Sequence, residues 1–316
     1  MPETLLFGIG QLGKEFIADD PSIIGISRSV GIDVSVKRDV DFTIYESGLG
    51  IPKIVLNCSA YTDVPGAEKD RNCWLTNQVG PRNLAEACKK SRSLLVHFST
   101  DFVFDGEDAP YSETDDCLPL SEYGKSKLAG ENEIRHILPD NHIIIRTAWL
   151  YGPNKYNFVQ KIMSYLNISG SCSAPDFQIG NPTNTRNLVE ATKFLIRNGH
   201  RGTFHYVDGG SASRFQFAKQ IAHFYAKYYH RSIGDVTEIS REEYDEKWNN
   251  VARPDDSRLK TDKIESLGFE PPYWAASLRE YIKSHCLYNG IDMEDVQNQV
   301  YLSQQMQALT RRLKTK

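Results

Sequence analysis

An α/β fold, built on a doubly wound parallel sheet with a smaller C-terminal lobe, is what this sequence predicts. Three observations carry the prediction. Short apolar runs alternate with helical patterns over the first 150 residues. A glycine-rich turn joins the first of those runs to the first helix. The rhythm then loosens into longer helices, short strands and polar loops. Apolar strands separated by helices imply βαβ units, whose parallel sheet is covered on both faces and crossed over right-handedly.

The elements follow in order. "TLLF" (4–7) reads as a buried strand, followed by a glycine turn and the helix "QLGKEFIA". "SIIGIS" (22–27) and "KIVLNCSA" (53–60) are the next strands, and "WLTNQVGPRNLAEACKK" (74–90) is a helix. "SLLVHFST" (93–100) is a fourth strand, 121–137 a helix and "HIIIRTAW" (142–149) a fifth strand. Helices are expected at 157–167, 184–198 and 213–229, with short strands near 202–206 and 236–239. The stretch 252–272 is rich in turn formers, and "YWAASLREYIKS" should pack as a last core helix. The expected division is a nucleotide-binding domain over 1–150, with returning segments from the second half, a lobe over 151–286 and a helical tail over 287–316. In that tail Met293, Val296 and Val300, then Leu302, Met306, Leu309 and Leu313, recur at helical spacing. It suits a surface helix or a protein contact.

Composition narrows the function. Across 316 residues, 40% are hydrophobic and 25% charged, as in soluble globular proteins, and the net charge is −4. That balance argues against nucleic acid and membrane surfaces as partners. No apolar run approaches a bilayer span, and "MPETLLFGIG" lacks the basic and apolar regions of a signal peptide. Six scattered cysteines without a CxxC pair read as reduced thiols in a cytoplasmic protein. Histidines and cysteines show no ligand spacing, so no metal is expected. Asp115 and Asp116 belong to a solvated loop.

Two motifs carry chemistry. "GIGQLG", Gly8 to Gly13, follows a strand and opens a helix. Glycines there let the backbone approach a pyrophosphate, whose charge the helix N-terminus meets. The fold class is therefore Rossmann-type, with the lobe as the substrate-binding part. The second strand ends in Ser27 and Arg28 rather than an acidic residue, which favours the 2′-phosphate of NADPH over NADH. The second motif is Ser99 and Thr100 at the end of the fourth strand, with Tyr123 and Lys127 four apart on one helix face. A lysine held near a tyrosine lowers the phenol's pKa, and a neighbouring hydroxyl can polarise the same carbonyl. The set can protonate an alkoxide as hydride arrives at carbon.

On these residues the chain resembles the dTDP-4-dehydrorhamnose reductase family of the extended short-chain dehydrogenase/reductases, over roughly 4–284. The blocks that carry the resemblance are "LLFGIGQLGKE", "VLNCSAYTDVPGAEKD", "LLVHFSTDFVFDGEDAPYSETDDCLPLSEYGKSKLAGE", "IIIRTAWLYG", "DFQIGNPTNT" and "RPDDSRLKTDKIESLGFEPPYWAASLREYI". It implies a catalytic triad of Thr100, Tyr123 and Lys127, the last also orienting the cofactor's ribose. It implies that Gly10, Gln11, Leu12 and Gly13 hold the pyrophosphate and that Asp39 and Val40 sit by the adenine. Ser59, Ala60 and Tyr61 would line the nicotinamide side. Thr100 and Asp101 would touch the sugar, Trp149 would pack against it, and Gln178 and Arg253 would belong to the nucleotide-sugar lobe.

The implied activity is NADPH-dependent reduction of the C4 ketone of a nucleotide-linked 4-keto-6-deoxy sugar, by a monomer or homodimer. Two rivals stand beside it. One is a non-catalytic regulatory subunit like the β subunit of methionine adenosyltransferase. The other is a bifunctional 3,5-epimerase/4-reductase, whose family has a cysteine where this chain has Asp101. The chain also departs from the family pattern in its glycine turn, where only Ile9 lies between Gly8 and Gly10.

Overall fold

The computed structural model of the chain describes residues 3–154, 156–248 and 251–288. The tail helix expected beyond 288 lies outside them. Twelve strands are present among the described residues: β1 (Thr4–Phe7), β2 (Ile24–Ile26), β3 (Ile54–Asn57), β4 (Leu94–Thr100), β5 (His142–Thr147), β6 (Leu150–Tyr151), β7 (Cys172–Pro175), β8 (Ile179–Gly180), β9 (Thr183–Asn184), β10 (Gly202–His205), β11 (Ala212–Ser213) and β12 (Val236–Ile239). Six form one parallel sheet in the order β10-β5-β4-β3-β1-β2. The chain order reverses between β1 and β3, and in open α/β sheets ligands bind at such a reversal, beyond the strands' carboxyl ends.

The sheet is central because its strands are apolar on both faces. One face, with Leu6, Leu56, Val96 and Ile145, packs on Leu12 and Phe16 of the helix Gln11–Asp19 and on Leu188 and Leu195 of Thr185–Arg197. The other, with Leu5, Val55, Leu95 and Ile144, packs on Leu84 and Cys88 of Gly80–Ser91 and Ile134 of Glu122–Ile137. This is the doubly wound arrangement expected. The second half of the chain supplies both Thr185–Arg197 and the edge strand β10 to it.

A second core lies beside the sheet. Tyr151, Val159, Ile162 and Leu166 meet Phe217, Ile221 and Tyr225 of the helix Arg214–Tyr229, and Leu278 and Ile282 of Trp274–Tyr288. Short pairs, β7 with β12, β8 with β11 and β6 with β9, stitch this lobe together. Ser213 starts the helix Arg214–Tyr229 with a capping box: its hydroxyl accepts from the Gln216 N–H, and Gln216 returns a bond to the Ser213 N–H.

Two local expectations change. The helix expected over 74–90 is interrupted: a π-helical turn at Leu75–Val79 separates Asn72–Trp74 from Gly80–Ser91. Pro81 lacks an N–H to donate back into that turn, and the wider turn accommodates it. The strand expected over 53–60 ends at Asn57, whose side-chain oxygen accepts from the Ser59 N–H at 3.1 Å and turns the chain out of the sheet.

Candidate active site

The loops after β1 and β3 meet at the sheet's reversal point. Gly8 has φ +98°, and a Cβ there would lie 2.4 Å from the Ser59 nitrogen. A Cβ on Gly13 would lie 2.1 Å from the Gly8 carbonyl oxygen. Both positions therefore demand glycine for close packing. Gly10 differs, because a Cβ there would meet nothing within 4 Å. It borders open space at the start of Gln11–Asp19, a helix with no side-chain cap. Gln11 Nε2 is buried there without a hydrogen-bond partner among the described residues. A buried orphan donor costs free energy that a bound acceptor recovers. With the uncapped helix N-terminus, it makes the loop a fit for a polyphosphate.

The other residues implied for the cofactor lie around this loop, with two qualifications. Leu12 and Val40 point into the cores of the two sheet faces, so neither side chain forms a binding wall. Asp39 accepts from the Asp33 N–H at 3.0 Å. Ser27 bonds Ser29, and half-exposed Arg28 pairs with Asp33 at 2.7 Å and reaches the Thr76 hydroxyl. Ala60 is exposed. Tyr61 exchanges two backbone hydrogen bonds with the buried Asn77 side chain, which also donates to Ser126. Ser126 Oγ in turn donates to the Tyr123 carbonyl at 2.8 Å. The loop after β3 is thus tied to the helix that carries Tyr123 and Lys127.

Ser121 caps that helix, accepting from the Gly124 N–H. Gly124 packs so closely on the Phe102 carbonyl that a Cβ would lie 2.2 Å from its oxygen. Helix and strand end are therefore in tight register. The Thr100 hydroxyl lies close enough to the Tyr123 phenol to influence its titration. Burial pushes Tyr123 up, and the Thr100 hydroxyl opposes the rise. The tyrosine is a protonated acid, so the lowering expected from Lys127 is not what this arrangement gives. The reason is where the lysine goes. Lys127 Nζ donates to the Phe98 carbonyl at 2.6 Å and lies 3.2 Å from His97 Nε2. Burial brings it down to about 8, with Glu131 opposing.

Ser99 and Thr100 part company because successive strand side chains face opposite sides. Ser99 donates to Glu131, a buried carboxylate also held by Arg146 at 2.8 Å and Arg135 at 3.0 Å. Burial alone would push Glu131 up, but these partners leave it lowered. Thr100 donates to Asp101 at 3.0 Å and accepts from the Phe102 N–H. Asp101 also accepts from Ser257 at 2.5 Å. Burial pushes Asp101 up to about 6 against these two hydroxyls and Arg214.

Beyond Asp101 opens a cavity of about 620 Å³ between the sheet and the lobe. Phe102, which meets Tyr123 edge-on, and Ser257 line its near side. Trp149, Gln178 and Arg253 all line it, as do Lys161, Arg214 and Tyr244. Among the described residues no carboxylate does. Arg214 stacks on Trp149 at 3.5 Å and Phe158 at 4.7 Å. Burial brings Arg214 down to about 9, and burial with its two cationic neighbours lowers Lys161. Trp149 has φ +44°, a strained conformation for an aromatic residue. Its ring fills the space beside Gly180, where a Cβ would come within 2.5 Å. Arg253 donates to Tyr244 at 2.6 Å. Arg214 and Lys161 were missed in the sequence. Cys172, also in the lining, has its thiol pushed up to about 11 by burial. Among the described residues no cluster suits a metal ion, and no helix is long and apolar enough to cross a membrane.

Comparison with known proteins agrees with this geometry. The family described as RmlD substrate binding domain matches residues 5–286. The chain is 33% identical to the dTDP-4-dehydrorhamnose reductase of Sinorhizobium fredii, covering 83% of this chain and 89% of that one. It is 35% identical to a dTDP-4-keto-6-deoxy-D-glucose reductase of Streptomyces niveus, covering 66% and 74%. The crystal structure of a Bacillus anthracis dTDP-4-dehydrorhamnose reductase, in complex with NADP, is similar with a TM-score of 0.81 and 31% identity, covering 90% of this chain and 100% of that one.

Proposed function

The chain belongs to the RmlD substrate binding domain family, and from that premise we propose that it is the NADPH-dependent reductase of a dTDP-linked 4-keto-6-deoxy sugar, acting at C4 in dTDP-rhamnose synthesis. One observation carries the assignment of roles. The neighbouring hydroxyls of Thr100 and Tyr123 stand between an open glycine turn on one side and, on the other, a cavity whose charged lining among the described residues is wholly cationic.

The cofactor fits the first side. Gly8, Gly10 and Gly13 admit a pyrophosphate, Gln11 Nε2 offers a donor, and Arg28 suits a 2′-phosphate. When bound, NADPH supplies the hydride. The chain's own residues do the rest. Tyr123, a phenol that is protonated at neutral pH and that burial raises further, donates its proton to the sugar C4 oxygen as negative charge develops there. Thr100 turns its hydroxyl from Asp101 to the same oxygen and shares the charge. Asp101, at about 6, is ionised at neutral pH and accepts from hydroxyls of the sugar. Arg214, Arg253 and Lys161 receive the diphosphate, and the Trp149 ring forms an apolar wall for the deoxy sugar. With this reading goes a cytoplasmic location, in keeping with free thiols at Cys58, Cys73, Cys88, Cys117 and Cys172.

Tyr123→Phe tests the assignment. It should lower kcat for NADPH oxidation with the 4-keto sugar by about 10³-fold, the scale of a lost general acid, while NADPH binding survives. A fully active variant overturns it. Solvent deuterium at sugar C3 or C5 of the product would move the reading to the epimerase/reductase.

A further inference from the structure

Thr147 ends β5 and is the register partner of Thr100, which ends β4. Paired residues of adjacent parallel strands face the same side of a sheet, and the strands lie about 4.8 Å apart. On that side Val96 and Phe98 of β4 and Ile143 and Ile145 of β5 pack with Leu12 and Phe16 of the helix Gln11–Asp19. Phe16 meets Phe98 with 5.6 Å between ring centroids. Thr100 and Thr147 are the next step along this face, at the carboxyl edge of the sheet.

The two hydroxyls differ in what holds them. Thr100 donates to Asp101 and accepts from the Phe102 N–H. Thr147 is 5% exposed, and its Oγ1 is buried with no hydrogen-bond partner among the described residues. A buried hydroxyl left unpaired costs free energy that a bound partner recovers. Thr147 does not line the sugar cavity, although Trp149 two residues on does. It belongs instead to the face covered by the helix whose first residue, Gln11, carries an orphan donor of its own.

We infer that Thr147 is a cofactor-binding residue whose hydroxyl bonds the carboxamide of the nicotinamide ring. This role rests on the reductase reading. There, hydride passes to a carbon whose oxygen is held by Thr100 and Tyr123, so the ring lies beside Thr100 and within reach of its register partner. The carboxamide is the ring's polar substituent, with an N–H to donate and a carbonyl to accept, and a threonine hydroxyl serves either. The charged parts of the cofactor are met elsewhere, at the glycine turn and at Arg28. Bonded to Thr147, the ring is held against rotation about its glycosidic link and keeps one face to the sugar.

Thr147→Val keeps the branched shape and removes the hydroxyl. Calorimetric titration of the full-length protein with NADP+ and with 2′-phospho-ADP-ribose reads the contact without any turnover. The second ligand lacks the nicotinamide but keeps the pyrophosphate, the 2′-phosphate and both riboses. NADP+ should bind Thr147→Val about three- to tenfold more weakly, the worth of one hydrogen bond, whereas 2′-phospho-ADP-ribose should bind as it does to the natural protein. Thr147→Ser, which keeps the hydroxyl, should bind NADP+ within about twofold of the natural protein. The melting temperature of ligand-free Thr147→Val should not fall, because the group removed has no partner within the described chain. An equal loss for the two ligands, no loss for NADP+, or a Thr147→Ser as weak as Thr147→Val overturns the inference. A ligand-free Thr147→Val that melts lower or fails to fold overturns it too, since the hydroxyl would then serve the chain itself. If the titrations behave as expected but no 4-keto sugar is reduced, the reductase reading fails while the role of Thr147 stands.

Discussion

Burial pushes titratable groups toward neutrality on both sides of the site, Arg214 and Lys161 included, but the two sides differ in the charge that remains. At the reacting end, burial drives every titratable group toward its neutral form: Tyr123 is raised, Lys127 falls to about 8, Asp101 rises to about 6 and His97 lies well below its usual range. Across the cavity, three cations and no carboxylate line the space among the described residues. The difference teaches a division of labour. Proton transfer calls for groups near the tipping point between charge states, whereas recognition of an anion calls for fixed charge that the ligand itself neutralises. Variants on the two sides should therefore fail in different kinetic parameters.

Beyond the loss at Tyr123, the largest expected effect lies on the cationic side. Arg214→Leu keeps much of the stem that covers Trp149 and removes the guanidinium. Losing a charge-assisted contact of about 1.5–3 kcal/mol should raise KM for the nucleotide sugar about 10- to 100-fold. Because that contact exists before and during reaction, kcat should stay within about threefold. Steady-state kinetics at saturating NADPH reads both. A collapse of kcat with KM unchanged would break the division, since it would make Arg214 part of the reacting end.

The same contrast explains what could be read from the sequence. "GIGQLG" and "SEYGKSKLAGE" are each set by one turn or one helix, so their spacing survives as a pattern. The six-stranded sheet was legible too, because buried parallel strands leave apolar runs. The cavity's cations sit on segments far apart in the chain, Lys161 within Phe158–Ser169 and Arg214 at the start of the lobe's longest helix, and only folding brings them together. One local sign was present. An arginine in a helix's first turn opposes the macrodipole, so Arg214 directly after the Ser213 cap asked for an anion. Val40 differs: its place by the adenine came from resemblance, and its apolar side chain is in the core.

A second prediction sharpens the account of the neutral side. Asp101 is 3% exposed, and its folded pKa of about 6 lies above the ordinary 3.8. Between those values the folded state holds the proton more tightly than the unfolded chain, so stability falls as pH rises through that window. Above it the ionised carboxylate costs about 3 kcal/mol, from roughly two pKa units at 1.36 kcal/mol each. Asp101→Asn removes that cost while keeping an oxygen for Thr100. At pH 7.5 the variant should gain about 1–3 kcal/mol, several degrees in Tm for a chain of this size. At pH 4 the gain should vanish. Thermal melts at the two pH values decide it; an equal shift at both would mean packing, not charge, is responsible.

The smallest effect is expected where charge is exposed. Arg28 lies more than half open to solvent and is already paired with Asp33. A 2′-phosphate must share the guanidinium with that carboxylate and with screening ions, so the contact is worth about 0.5–1 kcal/mol rather than the value of a buried one. Arg28→Gln should therefore weaken NADPH binding only about two- to fivefold. NADH binding should be unchanged, because NADH has no phosphate at that position. Raising the salt should shrink the NADPH difference, since Debye screening shortens from about 10 Å at 0.1 M to about 3 Å at 1 M. Fluorescence titration of both nucleotides at the two salt concentrations separates the outcomes. An equal loss for NADPH and NADH would assign Arg28 to holding the loop through Asp33 and Thr76 instead of reading the phosphate.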